Sequence, residues 1–340
     1  MKTLVIGCGS IGKRHIGNLA NILDTKNIFA VDPKESCRNQ VHNTFKISKD
    51  NLFETSDQAL ESQNFDSAII ATPTSLHHLD IIKMAARGVN LMIEKPVCVN
   101  TEHLKEIESV VSKSNKFSFV AYCFRFDPVA NKFSELIKSQ YLGKPLYSRA
   151  EMSTYLPDWH PEEDYRDFYM SKKSLGGGTL LDQSHLYDMV LWFFGEVKSV
   201  FGISKKHSDL EMDTDDFGEF IFNCKSGLDV SVHVDLFTKK FREFFQVTCE
   251  KGTLNWDIGA RKIYAETEGK VEILAEGKDY NQMYINEMKY FIEQVKNKGS
   301  LKGPNFNDGI KVLHLIEAIR NSSSQGQLVY MNQDKLVYTN

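Results

Sequence analysis

Leu4–His15 reads LVIGCGSIGKRH, an apolar run that breaks into glycines and resumes as a helical pattern. Gly7, Gly9 and Gly12 spell G-x-G-x-x-G, and the strand before it and helix after it set a nucleotide loop apart from an ordinary glycine corner. Gly7 makes the tight turn, Gly9 lets the backbone approach a pyrophosphate, and Gly12 lets helix and strand pack closely. Ser10 and Ile11 open the helix, whose free N–H groups and dipole favour an anion. The next apolar run, NIFAVD, ends at Asp32, 20 residues after Gly12. A carboxylate there accepts both ribose hydroxyls of NAD and repels the 2′-phosphate of NADP. NAD is the expected cofactor, with NADP the less favoured one. Arg14 and His15 follow on the first helical turn and face either phosphate or solvent.

Working outward, short apolar runs (SAIIATP, NLMIEKP, KFSFVAYC) alternate with helix-like stretches (IGNLANIL, LDIIKMAARG) as far as about residue 120. That alternation predicts a doubly wound parallel sheet over residues 1–122. After VANKFSELIKSQ the pattern changes to strands separated by turns: FGEFIFNCKSGLDVSVHVDLF, FFQVTCEKGTLNWDI and KIYAETEGKVEILAE each read as a hairpin. Residues 123–340 are therefore expected to form a second α/β domain on a large open, mostly antiparallel sheet. The helical stretches INEMKYFIEQVKN and DGIKVLHLIEAIRNS are expected to pack back on the first domain.

The chain has 340 residues, more than one hydrophobic core usually supports. A formal charge of −4 without a long Lys/Arg block argues against nucleic acid as a partner. The first residues lead directly into a strand, with neither a signal peptide nor a membrane span, which suggests a cytoplasmic protein. The six cysteines, at 8, 37, 98, 123, 224 and 249, show no C-x-x-C pair, so no metal centre is expected.

Two further constellations carry chemistry. Ligands of open α/β sheets bind at the carboxyl ends of strands, and Thr72, Pro73, His77, Glu94 and Lys95 stand at such ends, in ATPTSLHH and IEKPVCVN. A lysine desolvated at a strand end is a useful proton donor. In LGGGTLLDQSHLYDMVLWFFG, Asp182, His185 and Asp188 recur every three residues, so on one helix they share a face. A carboxylate beside an imidazole fixes its tautomer and raises its basicity, as a general base needs. The glycines before them would let a ligand approach the backbone.

GCGSIGKRH, ATPTSLHH, EKPVCVN, YCFRFDP, GGGTLLDQSH and EKGTLNWD follow one another along nearly the whole chain. In this order they resemble the Gfo/Idh/MocA oxidoreductases, the family of glucose-fructose oxidoreductase and inositol dehydrogenase. The resemblance implies a Rossmann domain holding NAD(P) and an α/β domain whose open sheet forms subunit contacts, in a homodimer or homotetramer. It also implies hydride transfer at a hydroxyl-bearing carbon of a sugar, sugar nucleotide or related polyol. By matching position, Lys95 hydrogen-bonds the reacting oxygen, His185 is the acid/base and Asp182 orients the site. Many members space this Asp and His four apart; here they are three apart, a spacing similar to that of a subgroup acting on cell-surface and nucleotide-linked sugars. In that subgroup Glu often follows the His, where this chain has Leu186.

The loop YLPDWHPEEDYRDFY is the expected substrate-positioning element, Trp159 and Tyr165 stacking on sugar faces and His160 and Arg166 bonding hydroxyls, carboxylate or phosphate. The same residues also suit an aromatic lid that packs on itself or on another subunit. Tyr122, Arg125 and Phe126 of YCFRFDP complete the substrate-side candidates. Three other readings keep much of this chemistry: a NAD-binding sugar sensor without catalysis, an enzyme that recycles tightly held NAD with no net redox change, and a hydroxy-acid dehydrogenase.

Overall fold

The computed structural model describes residues 1–159, 161, 163–331 and 337–338. The chain begins β1 (Thr3–Ile6), α1 (Ser10–Ala20), β2 (Ile28–Val31), α2 (Glu35–Phe45), β3 (Leu52–Phe53) and α3 (Ser56–Ser62). It continues β4 (Ser67–Ile70), α4 (His77–Ala86), β5 (Asn90–Ile93), α5 (Leu104–Ser114) and β6 (Ser118–Val120). The six strands form one parallel sheet in the order β3-β2-β1-β4-β5-β6. Every residue of β1, β2, β4 and β5 is buried, as expected of strands covered on both faces, and this is why they read as unbroken apolar runs. Strand order reverses between β1 and β4, which makes the crevice at their carboxyl ends the switch point.

Beyond residue 123 come α6 (Pro128–Lys138), β7 (Pro145–Tyr155), α7 (Thr179–Asp182) and α8 (Ser184–Phe194). Asp127 caps α6 by accepting the Val129 N–H at 2.8 Å, and Pro128 occupies its first turn. Strands β8 (Val197–Lys205), β9 (Phe217–Cys224), β10 (Asp229–Asp235), β11 (Phe237–Cys249), β12 (Gly252–Asp257), β13 (Lys262–Thr267) and β14 (Lys270–Glu276) follow. Helices α9 (Gln282–Lys296) and α10 (Phe306–Gln325) and the short strands β15 (Val329–Tyr330) and β16 (Val337–Tyr338) end the chain. The second sheet has ten strands in the order β14-β13-β12-β11-β7-β10-β9-β8-β15-β16. All its neighbours are antiparallel except β7 and β10. The three hairpins expected from sequence are β9–β10, β11–β12 and β13–β14.

On β9 the alternation is strict: Gly218, Phe220 and Phe222 are buried while Glu219 and Ile221 are exposed. The buried face carries an aromatic core in which Phe133 of α6 and Phe193 of α8 lie 5.5 and 6.2 Å from Trp256. The other face leaves Phe201, Ile203 and Ile221 more than 40% exposed. Among the described residues no helix is long and apolar enough to cross a membrane.

The chain forms two compact units, Met1–Cys123 with Asn281–Ile310, and Phe124–Tyr280 with the segment from Lys311 onward. The first unit thus contains all of α9, which lies far from it in sequence.

Candidate active site

The three glycines of the β1–α1 loop answer to three different constraints. Gly7 has φ of 97°, and a Cβ there would stand 2.4 Å from the Ala71 carbonyl oxygen, so β1 and β4 close on each other only over glycine. A Cβ on Gly12 would stand 1.9 Å from the Gly7 carbonyl oxygen, which fixes how tightly α1 returns over β1. A Cβ on Gly9, by contrast, would meet no protein atom within 4 Å. Gly9 is the N-cap of α1, supplies no side-chain cap, and no acidic residue occupies the first turn. The N–H groups at this helix start, including those of Ser10 and Ile11, suit an anion such as a pyrophosphate.

Asp32 follows β2 and is 8% exposed. Its carboxylate accepts the Cys8 N–H and the Lys34 N–H, each at 2.8 Å. Arg38 is turned to the backbone, donating to the carbonyl oxygens of Asp32 at 2.5 Å and Pro33 at 3.1 Å. The carboxylate is therefore fixed beside the glycine loop, where it suits ribose hydroxyls and opposes a 2′-phosphate. The residues present fit NAD.

His15 faces neither phosphate nor solvent. On α1 it shares the buried face of Gly12, Ile16 and Leu19, and its Nε2 lies 2.6 Å from Glu94 Oε1 at the end of β5. The i, i+3, i+4, i+7 spacing of that face is a signal the sequence carried. Arg14 instead lies over the Tyr284 ring, 4.5 Å from its centroid. Burial works to raise the Glu94 carboxyl, but the His15 hydrogen bond and the charges of His15 and Lys95 outweigh it and hold Glu94 below the ordinary carboxyl range. Glu94 Oε2 also accepts the Lys95 N–H at 3.2 Å, so the backbone that presents Lys95 is tied to α1 through one carboxylate. His77 is buried, with its ring nitrogens 2.9 Å from the Pro96 and Thr72 carbonyl oxygens. Burial keeps its pKa below the ordinary histidine value against the pull of those carbonyls. It braces the two crevice loops, and Thr72 donates to Asp80 at 2.9 Å. Tyr122 is buried in this unit, 1% exposed.

In the second unit the expected single helix through Asp182, His185 and Asp188 is two helices. Gln183, with ψ of 18°, separates α7 from α8, so Asp182 closes one helix and His185 stands in the first turn of the next. Asp182 is 7% exposed, and the Tyr169 hydroxyl donates to its carboxylate. The His185 ring stands edge-on to Phe124, centroids 5.2 Å apart. Asp188 is engaged by Arg125, whose Nε and Nη2 reach its carboxylate at 2.8–3.1 Å, the aspartate being 1% exposed. Bidentate pairing of this kind holds α8 to the segment before α6.

The glycines before α7 are pressed against protein rather than held open for a ligand. A Cβ on Gly177 would lie 2.2 Å from the Tyr169 carbonyl oxygen, and one on Gly178 would lie 2.3 Å from Asp215 Oδ1. Asp215 in turn accepts the Leu180 N–H at 2.7 Å and so steadies the start of α7.

The loop after β7 packs largely on itself. Tyr165, Phe168 and Tyr169 lie against Leu156, Met170 and Leu236, and the Tyr165 hydroxyl accepts the Glu211 N–H at 3.0 Å. Trp159 donates to Thr154 Oγ1 at 2.6 Å. Arg166 forks onto Asp164, from Nε at 2.9 Å and Nη2 at 2.5 Å. His160 lies outside the described residues.

Two residues beside Asp182 escaped the sequence reading. Tyr169 had no local signal, since its partner is fixed only by the fold. Glu243 did have one: on β11 it alternates with the buried Phe245 and Val247, which turns it to the inner face of the sheet. Burial, then the charges of Asp182 and Asp257, push its carboxyl up to about 7. Among the described residues no group of three or more His, Cys, Asp or Glu is placed to hold a metal.

Two family profiles match the chain. One, described as an oxidoreductase family with an NAD-binding Rossmann fold, covers residues 1–122, and the other, the GFO/IDH/MocA C-terminal domain, covers residues 131–255. The chain is 30% identical over 205 residues to scyllo-inositol 2-dehydrogenase (NAD(+)) of Bacillus subtilis, a match spanning 59% of this chain and 56% of that protein. It is 22% identical over 348 residues to an inositol 2-dehydrogenase/D-chiro-inositol 3-dehydrogenase of Halalkalibacterium halodurans, over 96% and 92% of the two chains. A structure of levoglucosan dehydrogenase in complex with NADH superposes with a TM-score of 0.84 at 19% identity, over 98% of this chain and 99% of the other. With one profile over the nucleotide-binding sheet and the other over most of the strands and helices beyond it, the chain belongs to the GFO/IDH/MocA family of NAD-binding oxidoreductases.

Proposed function

We propose that this protein is a NAD-dependent dehydrogenase acting on a hydroxyl-bearing carbon of a sugar or cyclic polyol. The observation that carries the reading is the contrast at the glycine loop: Gly7 and Gly12 are required by protein atoms, whereas Gly9 faces none, at an uncapped helix start beside a fixed Asp32. Two relatives named for inositol oxidation support the substrate class. NAD supplies the hydride acceptor when bound. His185 takes the hydroxyl proton as the C–H bond breaks, and Lys95 donates a hydrogen bond to the oxygen as it gains negative charge. Asp182, steadied by Tyr169, stabilises the imidazolium that forms. Arg125 acts at one remove, through Asp188 and the placement of α8. The exposed Phe201, Ile203 and Ile221 support a homodimer or homotetramer built on the outer face of the ten-stranded sheet.

The test is Lys95→Ala and His185→Ala against wild type, with NADH binding measured beside turnover. We expect each to lower kcat by about 10²–10⁴-fold while leaving NADH affinity nearly intact. Unchanged turnover in either variant overturns that residue's role.

A further inference from the structure

Glu287 lies on α9, which the chain contributes to the first unit long after its sheet is complete. Its side chain is fully buried, and neither carboxyl oxygen has a hydrogen-bond partner. Helix α9 packs on α1 through Arg14 over the Tyr284 ring and on β6 through Phe119 against Phe291. The charge that bears on Glu287 from the sheet is that of Glu94 at the end of β5, already bonded by His15 from α1 and by the Lys95 N–H. Cys123, buried beyond β6, feels the charges of Glu287, Glu94 and Lys95 and bonds Tyr284, which gathers the buried Glu94, Cys123 and Glu287 and the half-buried Lys95 and Tyr284 at the carboxyl end of the sheet. The ionisable members are thus His15 on α1, Glu94 and Lys95 after β5, Cys123, and Tyr284 and Glu287 on α9.

Two carboxylates that feel one another in a dry interior resist being charged together. The His15 ring and Lys95 stand with Glu94, which is held low, while burial and the Glu94 charge push Glu287 well above the ordinary carboxyl range. An unpartnered buried anion is among the most destabilising groups a fold can carry, and a neutral acid is far less so.

We propose that Glu287 is a positioning residue, held as an uncharged carboxylic acid so that Glu94 remains the single anion of the His15–Glu94–Lys95 group. Ionised, it would repel Glu94, whose carboxylate bonds His15 and the Lys95 N–H, and so disturb the backbone that presents Lys95. The kinetic consequence rests on the role proposed above for Lys95, whereas the charge state of Glu287 does not.

The experiment is thermal unfolding of the full chain from about pH 5 to about pH 9, for wild type, Glu287→Gln and Glu287→Leu, with kcat and KM measured alongside. A carboxyl whose folded pKa is raised costs stability once the pH passes the unfolded value of about 4.3, and the cost grows until the folded pKa is reached. The neutral variants carry no such cost. Their melting temperature should therefore gain on wild type by about 3–5 °C per pH unit across that interval. Glu287→Leu should lower kcat by up to about a hundredfold with KM little moved. Glu287→Gln should restore most of that rate and move the alkaline limb of kcat to higher pH. Melting curves of wild type and Glu287→Gln that run parallel across the range would overturn the proposal. So would a Gln variant as slow as the Leu variant with its alkaline limb unmoved. If Glu287→Gln fails to fold, the Leu variant supplies the melting comparison alone. Melting needs no substrate, so a failed search for sugar turnover would count against the enzymatic reading and leave this result standing.

Discussion

Replacing Gly12 and Gly9 by alanine separates the two demands on the nucleotide loop. A Cβ at Gly12 falls 1.9 Å from the Gly7 carbonyl oxygen and 2.9 Å from its carbon, where heavy atoms in contact stand about 3.5 Å apart. Helix α1 must then retreat from β1 by about 1.5 Å, and no flexible side chain can give way instead. Overpacking costs about 1–3 kcal/mol, which for a unit of this size lowers the melting temperature by about 2–12 °C. The Gly9 Cβ meets no protein atom, and Ala for Gly at an N-cap costs at most about 1 kcal/mol. Its effect falls on the ligand, where a methyl group against the pyrophosphate should weaken NADH by about tenfold or more, at least about 1.4 kcal/mol. Thermal melting and titration of NADH fluorescence read the two effects separately. Wild-type melting in Gly12→Ala together with wild-type NADH affinity in Gly9→Ala would refute the reasoning.

Three further outcomes follow from the site. His15→Ala leaves Glu94 buried without its hydrogen-bonding ring and should cost about 3–5 kcal/mol. Because the folded Glu94 pKa is depressed, the stability it contributes is present above about pH 4.3 and lost as the pH falls through the lower folded value, so the variant should show a flatter acid limb in its melting profile. Tyr169→Phe removes a donor to the buried Asp182, a hydrogen bond to a charged group worth about 1.5–3 kcal/mol, and kcat/KM should fall roughly ten- to hundredfold. Glu243, pushed up to about 7, should impose an ionisation near neutrality on the rate profile. Glu243→Gln should abolish it, and a profile unchanged in that variant would remove Glu243 from the site's electrostatics.

What could be read from sequence was what local pattern encodes. The apolar runs of β1, β2, β4 and β5 and the alternation on β9 and β10 announce their burial residue by residue, and so they gave both sheets. Gly7, Gly9 and Gly12 were legible because one short segment holds strand, turn and helix start together. Asp182 and His185 were singled out by spacing, but the break at Gln183 between α7 and α8 was not legible in it. The glycines before α7 looked like room for a ligand and instead admit the protein's own atoms, backbone at Gly177 and the Asp215 side chain at Gly178. The His15–Glu94, Tyr169–Asp182 and Arg125–Asp188 links join residues 79, 13 and 63 positions apart. Only the fold brings them together. The sequence likewise shows the Arg125 guanidinium without the Asp188 carboxylate that engages it from 63 positions away, whereas the Asp164 partner of Arg166 lies only two residues off.

The most direct test of the central claim is to incubate the purified wild-type protein with NAD and a panel of inositols, free sugars and nucleotide-linked sugars, and to follow NADH by its absorbance. Stoichiometric NADH formation on one class of cyclic hydroxyl compound, abolished in Lys95→Ala, is the expected result. Product formed without NADH accumulating, or no reaction with any compound while NAD is bound, would contradict it.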